Sequence, residues 1–572
     1  MAHKTVRRIG PTRAAMVALL ANASLGLAAH ADSPPGAAPN CSGPVDPYQN
    51  YGCLDAYLGN GVFERLYNYY KLEMGHDAAP SDPNAPSSHQ EGWPTTPETI
   101  PPMPFTEWPY GGTTALGVNR TGSNDSPLMT AISNTHLGSW MNDNGLQVYG
   151  WVDPGFNVSS NSLRPGGNAP IAYAYTPNTV QLDQFVLYFE RTPDTVQTDH
   201  VDWGFRVSGI YGENYRYTTS YGLVSGQYLK RNDVNGYDFP MLYAELYIPQ
   251  VAHGLMLRLG RYISLPDIEA QLAPNNYMYT HSFTYSYDNY TNEGLQATLA
   301  LTPDLFLQLG VAAGTEASPT HLFAMQNNLL PVLPASAGFG AVANPLYSGA
   351  RFPKDPGAQP SITACVRYGW DDERNDINAC ADAINDGRWG YNNLQWYGLT
   401  YYHKWNDHWH VSTEAYYMQE YRVPNNQNAE AEYIYQNGGT PFSPQYIPFN
   451  APAPVFCKNA ASLTCSPTAI GTTGYLNYTP DTLNNISLRP EYYYDPNGWR
   501  TSTGVPSFYY SLSLGWQHWL SPQIEIRPEV GYYRSLGVKA FNGGPSNTGT
   551  GGATPGPSNY TVFGGGDVIL HF

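Results

Sequence analysis

Apolar and polar side chains alternate over several segments of about ten residues, and this alternation constrains the fold most strongly. In residues 254–262, three leucines fall on one face of an extended chain and Arg258 falls on the other. Residues 201–211 and 523–533 repeat the pattern. Strands of this length exceed the ~5–6 residues usual in soluble sheets and match the ~9–11 residues that cross a bilayer at a tilt. The alternation therefore predicts membrane-spanning β-strands.

Short and long connections alternate between these segments. Tight turns, all but one containing proline, are predicted at residues 192–194, 249–250, 302–304, 405–408, 479–481 and 521–523. Long polar segments separate the resulting hairpins, and this layout is typical of an outer-membrane barrel. With residues 282–302 taken as one strand and 314–392 as one loop, the pattern predicts an all-β, antiparallel transmembrane barrel of about 14 strands.

The last predicted strand, residues 560–572, ends on an aromatic residue. Val562, Val568, Leu570 and Phe572 fall on one face, with Asp567 among the residues of the other face. We expect this strand to pair with the first strand near residue 146 and so to remove the open edges of the sheet.

The first 144 residues do not follow the strand pattern. A basic stretch, an apolar stretch and a small-residue cleavage site predict a signal peptide over residues 1–31. Residues 32–144 then form an N-terminal segment with a proline-rich arm, which either lies in the periplasm or plugs the lumen. Within it, a helical pattern over residues 54–70 is broken near Gly59, and Ser126 is a candidate N-cap. The barrel is assigned to residues 145–572.

Composition and charge narrow the class of protein. Only 13% of residues are charged, whereas there are 47 tyrosines, 56 glycines and 49 prolines. Removing the four positive charges of the signal peptide would shift the formal charge from −18 to −22. This acidic balance argues against nucleic acid as a partner, because phosphates require a Lys/Arg surface.

The six cysteines group by proximity into three pairs. In an exported chain, three local disulfides are the simplest interpretation, and zinc is disfavoured because no C-x-x-C motif occurs. The expected pairs are Cys41 with Cys53, Cys365 with Cys380, and Cys457 with Cys465.

Charged residues on the polar face of the strands are candidates to line the lumen. They could set solute selectivity through a transverse field, or they could brace the wall by pairing across strands. The candidates are Arg206, Glu245, Arg258, Arg489, Glu491, Glu525, Arg527 and Glu529.

Two acidic regions in the predicted loops have other candidate roles. Residues 264–273 suggest a capped helical turn with Asp267 and Glu269 exposed, which is either a surface loop or a constriction folded into the pore. The acidic residues around the Cys365–Cys380 pair, including Asp376 and Asp382, are expected to be solvated, since EF-hand spacing is absent. No catalytic, metal-binding or cofactor-binding motif was found, so neither an enzyme nor a cofactor is expected.

Four stretches resemble the OmpL-like β-barrel porins of Gram-negative outer membranes. They are residues 181–184, 198–205, 260–277 and 516–529. The resemblance implies an outer-membrane barrel with a pore, in contact with lipid, and it implies that Phe572 is the terminus recognised by the outer-membrane assembly machinery. We therefore expect a passive channel for small hydrophilic solutes. The alternatives are a plugged transporter for hydrophobic molecules, whose interior would be lined by aromatic residues, and a closed structural or adhesive barrel.

Overall fold

The computed structural model describes most of the chain after residue 50. The described residues are 51–74, 126–164, 166–218, 234–263, 267–289, 291–314, 332–333, 342–343, 360–371, 374–386, 393–429, 431, 455–481, 483–501, 505–521, 523–543 and 556–572. The predicted signal peptide, the proline-rich arm and Cys41 lie outside them.

Sixteen strands of the described chain form one closed barrel in which each strand pairs with its neighbours in sequence, and the last pairs with the first. In chain order they are β1 (Leu146–Ser159), β2 (Val180–Arg191), β3 (Asp202–Gly212), β4 (Gly236–Ile248), β5 (Leu255–Ile263), β6 (Thr291–Ala300), β7 (Leu305–Ala312), β8 (Ser361–Trp370), β9 (Asn375–Ile384), β10 (Gln395–Lys404), β11 (Trp409–Gln419), β12 (Thr468–Asp481), β13 (Asn484–Asp495), β14 (Ser507–Ser521), β15 (Ile524–Ser535) and β16 (Tyr560–His571).

The expectation of an antiparallel barrel is confirmed, but the expected count of about 14 strands is wrong. Strands β8 and β9 fall inside residues 314–392, the region taken as one long loop. They pair antiparallel there, with Cys365 opposite Cys380. Residues 371–374, which connect the two strands in sequence, contain no proline, whereas most of the other short connections contain one. Apolar residues at alternate positions, such as Ile362 and Val366, are nevertheless exposed on the outer face.

The region 282–302 is not one strand. A short helix, Phe283–Ser286, precedes β6, which begins only at Thr291. Ser282 caps this helix, because its hydroxyl accepts a hydrogen bond from the backbone N–H of Tyr285 at 3.0 Å. The first part of the region therefore belongs to the connection between β5 and β6.

The acidic residues of β9 are buried rather than solvated, which corrects a second expectation. Asp376 pairs with Arg367 of β8 at 2.5 Å, and Asp382 accepts a hydrogen bond from Asn289 at 2.6 Å. Both acids point inward because they occupy the polar face of a strand whose other face is apolar.

Two of the three expected cysteine pairs form disulfides in the described chain. Cys365–Cys380 links β8 to β9, and Cys457–Cys465 lies in the connection between β11 and β12. This connection also contains the two-residue strands Val423–Pro424 and Thr464–Cys465, which pair with each other, as do Val332–Leu333 and Val342–Ala343 between β7 and β8.

In the described part of the chain, four helices precede the barrel: α1 (Tyr51–Leu58), α2 (Val62–Glu73), α3 (Pro127–Ile132) and α4 (His136–Asp143). The break between α1 and α2 falls at Gly59, whose φ is +89°, and Ser126 caps α3 by accepting a hydrogen bond from Met129 N–H at 3.1 Å. Arg65 of α2 donates hydrogen bonds to the carbonyl of Thr130 and the hydroxyl of Ser133, both at 3.0 Å. It thereby ties the two helix pairs together.

These helices lie at the end of the barrel where β1 begins and β16 ends. The Tyr70 hydroxyl donates a hydrogen bond to the carbonyl of His571, and Met129 and Met141 pack against Leu146. None of the described helices is both long enough and apolar enough to span a membrane.

Candidate functional site

The barrel has an apolar outer face and a polar inner face. Leu259 and Leu309 on the outer face are more than 60% exposed, whereas Arg258, next to Leu259 in sequence, is 6% exposed. The exposure pattern is therefore the reverse of that in a soluble protein, as expected for strands whose outer face contacts lipid. Charged strand residues such as Arg258 therefore lie inside the barrel.

All eight predicted lumen residues lie on the inner face, and none is more than 6% exposed. Three of them come from β3, β4 and β5. Arg206 pairs with Glu190 at 2.5 Å, and Arg258 pairs with Glu245 at 2.9 Å. Both pairs join neighbouring strands at directly opposed positions. On this side of the barrel the charges therefore bind each other across the sheet.

The other five predicted residues belong to β13 and β15. The Arg527 guanidinium donates to Asp567 at 3.0 Å through Nε and lies 3.8 Å from the carboxylate of Glu525. Arg489 lies 3.4 Å from Glu529. Glu491 accepts a hydrogen bond from the Ser511 hydroxyl at 2.8 Å. These side chains also contact residues of the connection between β5 and β6.

The connection between β5 and β6 folds into the barrel, and we call residues 267–289 of it the inner segment. Thr280 N–H donates to Glu529 at 2.7 Å, and Thr284 N–H donates to Glu491 at 2.7 Å. Arg527 donates to the carbonyl of Asn276 at 3.0 Å. The segment thus leaves the barrel wall after β5 and binds strands that are far from β5 around the barrel.

Asp267 and Glu269 are buried, so the expectation that both are exposed is wrong. Glu269 accepts a hydrogen bond from Ser282 N–H at 3.0 Å and lies 3.3 Å from Arg489. Asp267 lies beside Asp288. The expected helical turn does not form in residues 267–272, and the nearest regular structure is a 3₁₀ turn at Ala273–Asn275.

Tyrosines fill much of the remaining interior. Tyr149 and Tyr188 stack with ring centroids 4.9 Å apart, and Tyr173 stacks on His281 of the inner segment at 3.6 Å. The hydroxyl of Tyr149 donates a hydrogen bond to Glu190 at 2.7 Å. Sequence analysis did not single out these tyrosines, although Tyr149 and Tyr188 are on the inner face by parity with Trp151 and Glu190.

Acidic groups outnumber basic ones inside the described chain. Twenty-one Asp and Glu residues are buried, against nine Arg and no Lys. In the inner segment, burial raises the pKa of Asp288 to about 7, and burial lowers the pKa of His281 well below its usual value. His281 therefore remains neutral, and the interior carries a surplus of carboxyl groups.

Comparison with known proteins supports the barrel assignment. The family model described as "Putative beta-barrel porin-2, OmpL-like" matches residues 145–572. No curated protein sequence matches the chain.

Solved porins are similar to the chain at low identity and with TM-scores below 0.5. An anion-selective porin from Comamonas acidovorans matches with a TM-score of 0.41 and 8% identity, covering 75% of this chain and 99% of that one. The outer membrane channel DcaP of Acinetobacter baumannii matches with a TM-score of 0.41 and 11% identity, covering 75% and 98%. OmpT of Vibrio cholerae matches with a TM-score of 0.37 and 8% identity, covering 75% and 97%. Because the family model spans the entire closed barrel, the chain belongs to the OmpL-like β-barrel porin family of the outer membrane.

Proposed function

We propose that this protein is a passive diffusion channel for small hydrophilic solutes, narrowed by its inner segment. The observation that carries the proposal is the polar inner wall crossed by residues 267–289, which bind β13 and β15 through Thr280, Thr284 and Asn276. A polar interior supplies hydrogen-bonding partners to hydrated solutes, and a segment anchored across it limits their size.

The channel should favour cations over anions. Among the described residues from 145 onward, buried carboxyl groups exceed buried arginines by 20 to eight, and Arg206, Arg258 and Arg527 are each paired with an acid. An acidic lumen lowers the electrostatic energy of a passing cation and raises that of an anion.

The proposal also assigns the parts of the chain. Residues 1–31 direct export, residues 32–144 lie on the periplasmic side, and residues 145–572 form the pore. The position of α2 supports this arrangement, because Tyr70 contacts the end of β16, where both ends of the barrel meet.

Conductance of the purified protein in a planar lipid bilayer tests the channel. We expect discrete openings whose size increases with salt concentration, and a reversal potential in a KCl gradient that indicates cation preference. A protein that inserts and gives no openings would exclude a channel and would favour a closed barrel. Openings that prefer anions would contradict only the predicted cation preference, which rests on the excess of buried acidic groups.

Charge-reversal variants of two arginines test whether these residues set ion selectivity or only stabilise the barrel wall. Arg258→Glu places a second acid beside Glu245 on the wall, and Arg527→Glu places one beside the inner segment. We expect Arg527→Glu to increase cation preference more than Arg258→Glu. If neither variant changes the reversal potential while both still fold, these arginines only brace the wall.

A transporter for hydrophobic molecules is the second candidate, and the buried tyrosines favour it. Tyr149, Tyr173 and Tyr188 present ring faces inside the barrel. This candidate predicts that a hydrophobic probe quenches interior fluorescence with saturation and that ion conductance is absent. The channel predicts the opposite result for both measurements.

A further inference from the structure

Three carboxylates meet where the inner segment begins and ends. Asp267 and Asp288 come from its two ends, and Glu414 comes from β11. One ligand oxygen from each lies within 4.8 Å of the other two. Their exposed fractions are 9%, 1% and 2%. Because three buried anions at this distance repel one another, the cluster requires either protons or a bound cation.

Backbone groups hold two of the carboxylates in place. Ile268 N–H donates to Glu414 Oε2 at 3.0 Å, and Asn289 N–H donates to Asp288 Oδ1 at 2.6 Å. Among the described residues, the second oxygen of Glu414, Oε1, is buried without a hydrogen-bond partner outside the three-carboxylate cluster, and so is Oδ1 of Asp267. Asp267 and Glu414 thus each retain a buried oxygen that can bind a ligand.

The nearby guanidinium group is engaged with backbone oxygens. Arg500 donates to the carbonyl of Tyr287 at 2.7 Å and to the carbonyl of Asp288 at 2.5 Å. Burial raises the pKa of Asp267 well above its usual range, with the charges of Asp288 and Glu414 adding to the effect. The charged side chains that most affect Asp267 and Glu414 are other acids.

We propose that Asp267, Asp288 and Glu414 bind one hard divalent cation, with Ca²⁺ the best match. The site offers oxygen ligands only, which suit Ca²⁺ and Mg²⁺ and disfavour metals that prefer imidazole or thiolate. Ca²⁺ tolerates irregular geometry with six to eight oxygens, whereas Mg²⁺ demands a near-ideal octahedron. A cation here would fasten both ends of the inner segment to the barrel wall. The proposal does not depend on whether the protein conducts.

Metal titration of the full-length protein in detergent micelles tests the site. After treatment with EDTA and its removal, Ca²⁺ is titrated by calorimetry, and Tb³⁺ is titrated by luminescence sensitised by nearby tyrosines. We expect one saturable site, with affinity reduced roughly tenfold or more in Asp267→Asn and in Glu414→Gln, because each removes one ligand charge. Asp199→Asn, which changes an exposed acid in the turn between β2 and β3, should bind like the parent chain.

Two results would overturn the proposal. One is the absence of saturable binding by the parent protein, and the other is equal affinity in the parent, Asp267→Asn and Glu414→Gln. Folding of each variant is checked by heat-dependent mobility on a denaturing gel. If Glu414→Gln does not fold, Glu414→Asp preserves the charge and should bind Ca²⁺ more tightly than Asp267→Asn does. Binding by both at parental affinity would exclude the site.

Discussion

Glu269 of the inner segment lies 3.3 Å from Arg489 of β13, which is the ion pair that joins the segment to the far wall. Arg489 is fully buried and also lies 3.4 Å from Glu529. A buried ion pair in which one partner is removed costs about 3–5 kcal/mol, because the remaining charge is left without compensation. Glu529 would reduce that penalty if Glu269 were neutralised. The pair is therefore a point at which the segment can be released while the barrel stays closed.

Glu269→Gln should increase single-channel conductance. The substitution removes the charge that holds the segment against β13, so the segment should populate positions that leave more of the lumen open. The matched control is Glu245→Gln, which neutralises a buried acid paired with Arg258 on the wall. Planar-bilayer recordings should show larger or noisier openings for the first variant only. Equal conductance in both would indicate that the segment does not limit the pore.

Deleting Phe572 should reduce the amount of folded protein in the outer membrane. Its ring stacks on Phe185 of β2 with centroids 5.8 Å apart, and its backbone exchanges hydrogen bonds with Gly150 of β1 at 2.9 and 3.0 Å. The residue thus covers the seam where the barrel closes, and it is the expected assembly signal. Quantifying heat-modifiable protein in isolated membranes checks this. Phe572→Trp should behave like the parent, and normal levels of the truncated protein would refute the prediction.

Replacing Cys365 and Cys380 by alanine should lower the temperature at which the barrel unfolds. A disulfide that closes a 15-residue loop stabilises by about 3 kcal/mol through the entropy of the unfolded chain. The strands should still form, since β8 also pairs with β7 and β9 with β10.

The remaining disulfide supplies the control for this experiment. Cys457–Cys465 closes a loop of only eight residues, so its removal should lower the unfolding temperature less. Gel mobility after heating without reductant measures both effects. An unchanged unfolding temperature for the Cys365/Cys380 variant would show that strand pairing alone holds this hairpin.

The attachment of the inner segment should depend on pH and on divalent cations in opposite ways. Because the pKa of Asp288 is about 7 when folded against an ordinary value of 3.8, the folded protein holds a proton that the unfolded chain releases. The associated stability is fully present below about pH 4 and is lost as pH rises through about 7. The charged groups that surround it are Asp267, Glu414, Asp382 of β9 and Arg500.

Calcium should reverse this trend, because it competes with protons for the same oxygens. The apparent affinity for Ca²⁺ should therefore increase between pH 5 and pH 8, and heat resistance at pH 8 should increase when Ca²⁺ is added. Calorimetric titrations at several pH values measure the first effect, and gel mobility measures the second. An affinity that is independent of pH would mean that these carboxylates do not hold the metal.

The sequence was sufficient for the barrel and for the inner or outer face of its strands. Each strand has two faces in contact with different media, so Arg258 and Leu259 are assigned to opposite faces by parity alone. The same argument assigned all eight lumen candidates to the inner face, where their side chains are buried. It failed at β8 and β9, where small residues such as Ala364 dilute the apolar face and the acids of β9 suggest a loop. Counting strands is therefore less reliable than orienting them.

Only the tertiary structure determines which residues occupy the interior of the barrel. The sequence left open whether residues 264–273 form a surface loop or a constriction folded into the pore. The local residues do not decide this, because the groups that bind the inner segment, such as Glu414, Arg489 and Glu529, come from strands more than 100 residues away. The alternation of apolar and polar residues indicates only whether a side chain faces the lipid or the interior of the barrel. It cannot report which distant side chain is its partner, since closure of the barrel sets those distances. The sequence by itself thus determined the barrel wall. Closure of the sheet determined the rest, because it brings the inner segment to Arg489 and brings the three carboxylates of the cluster together.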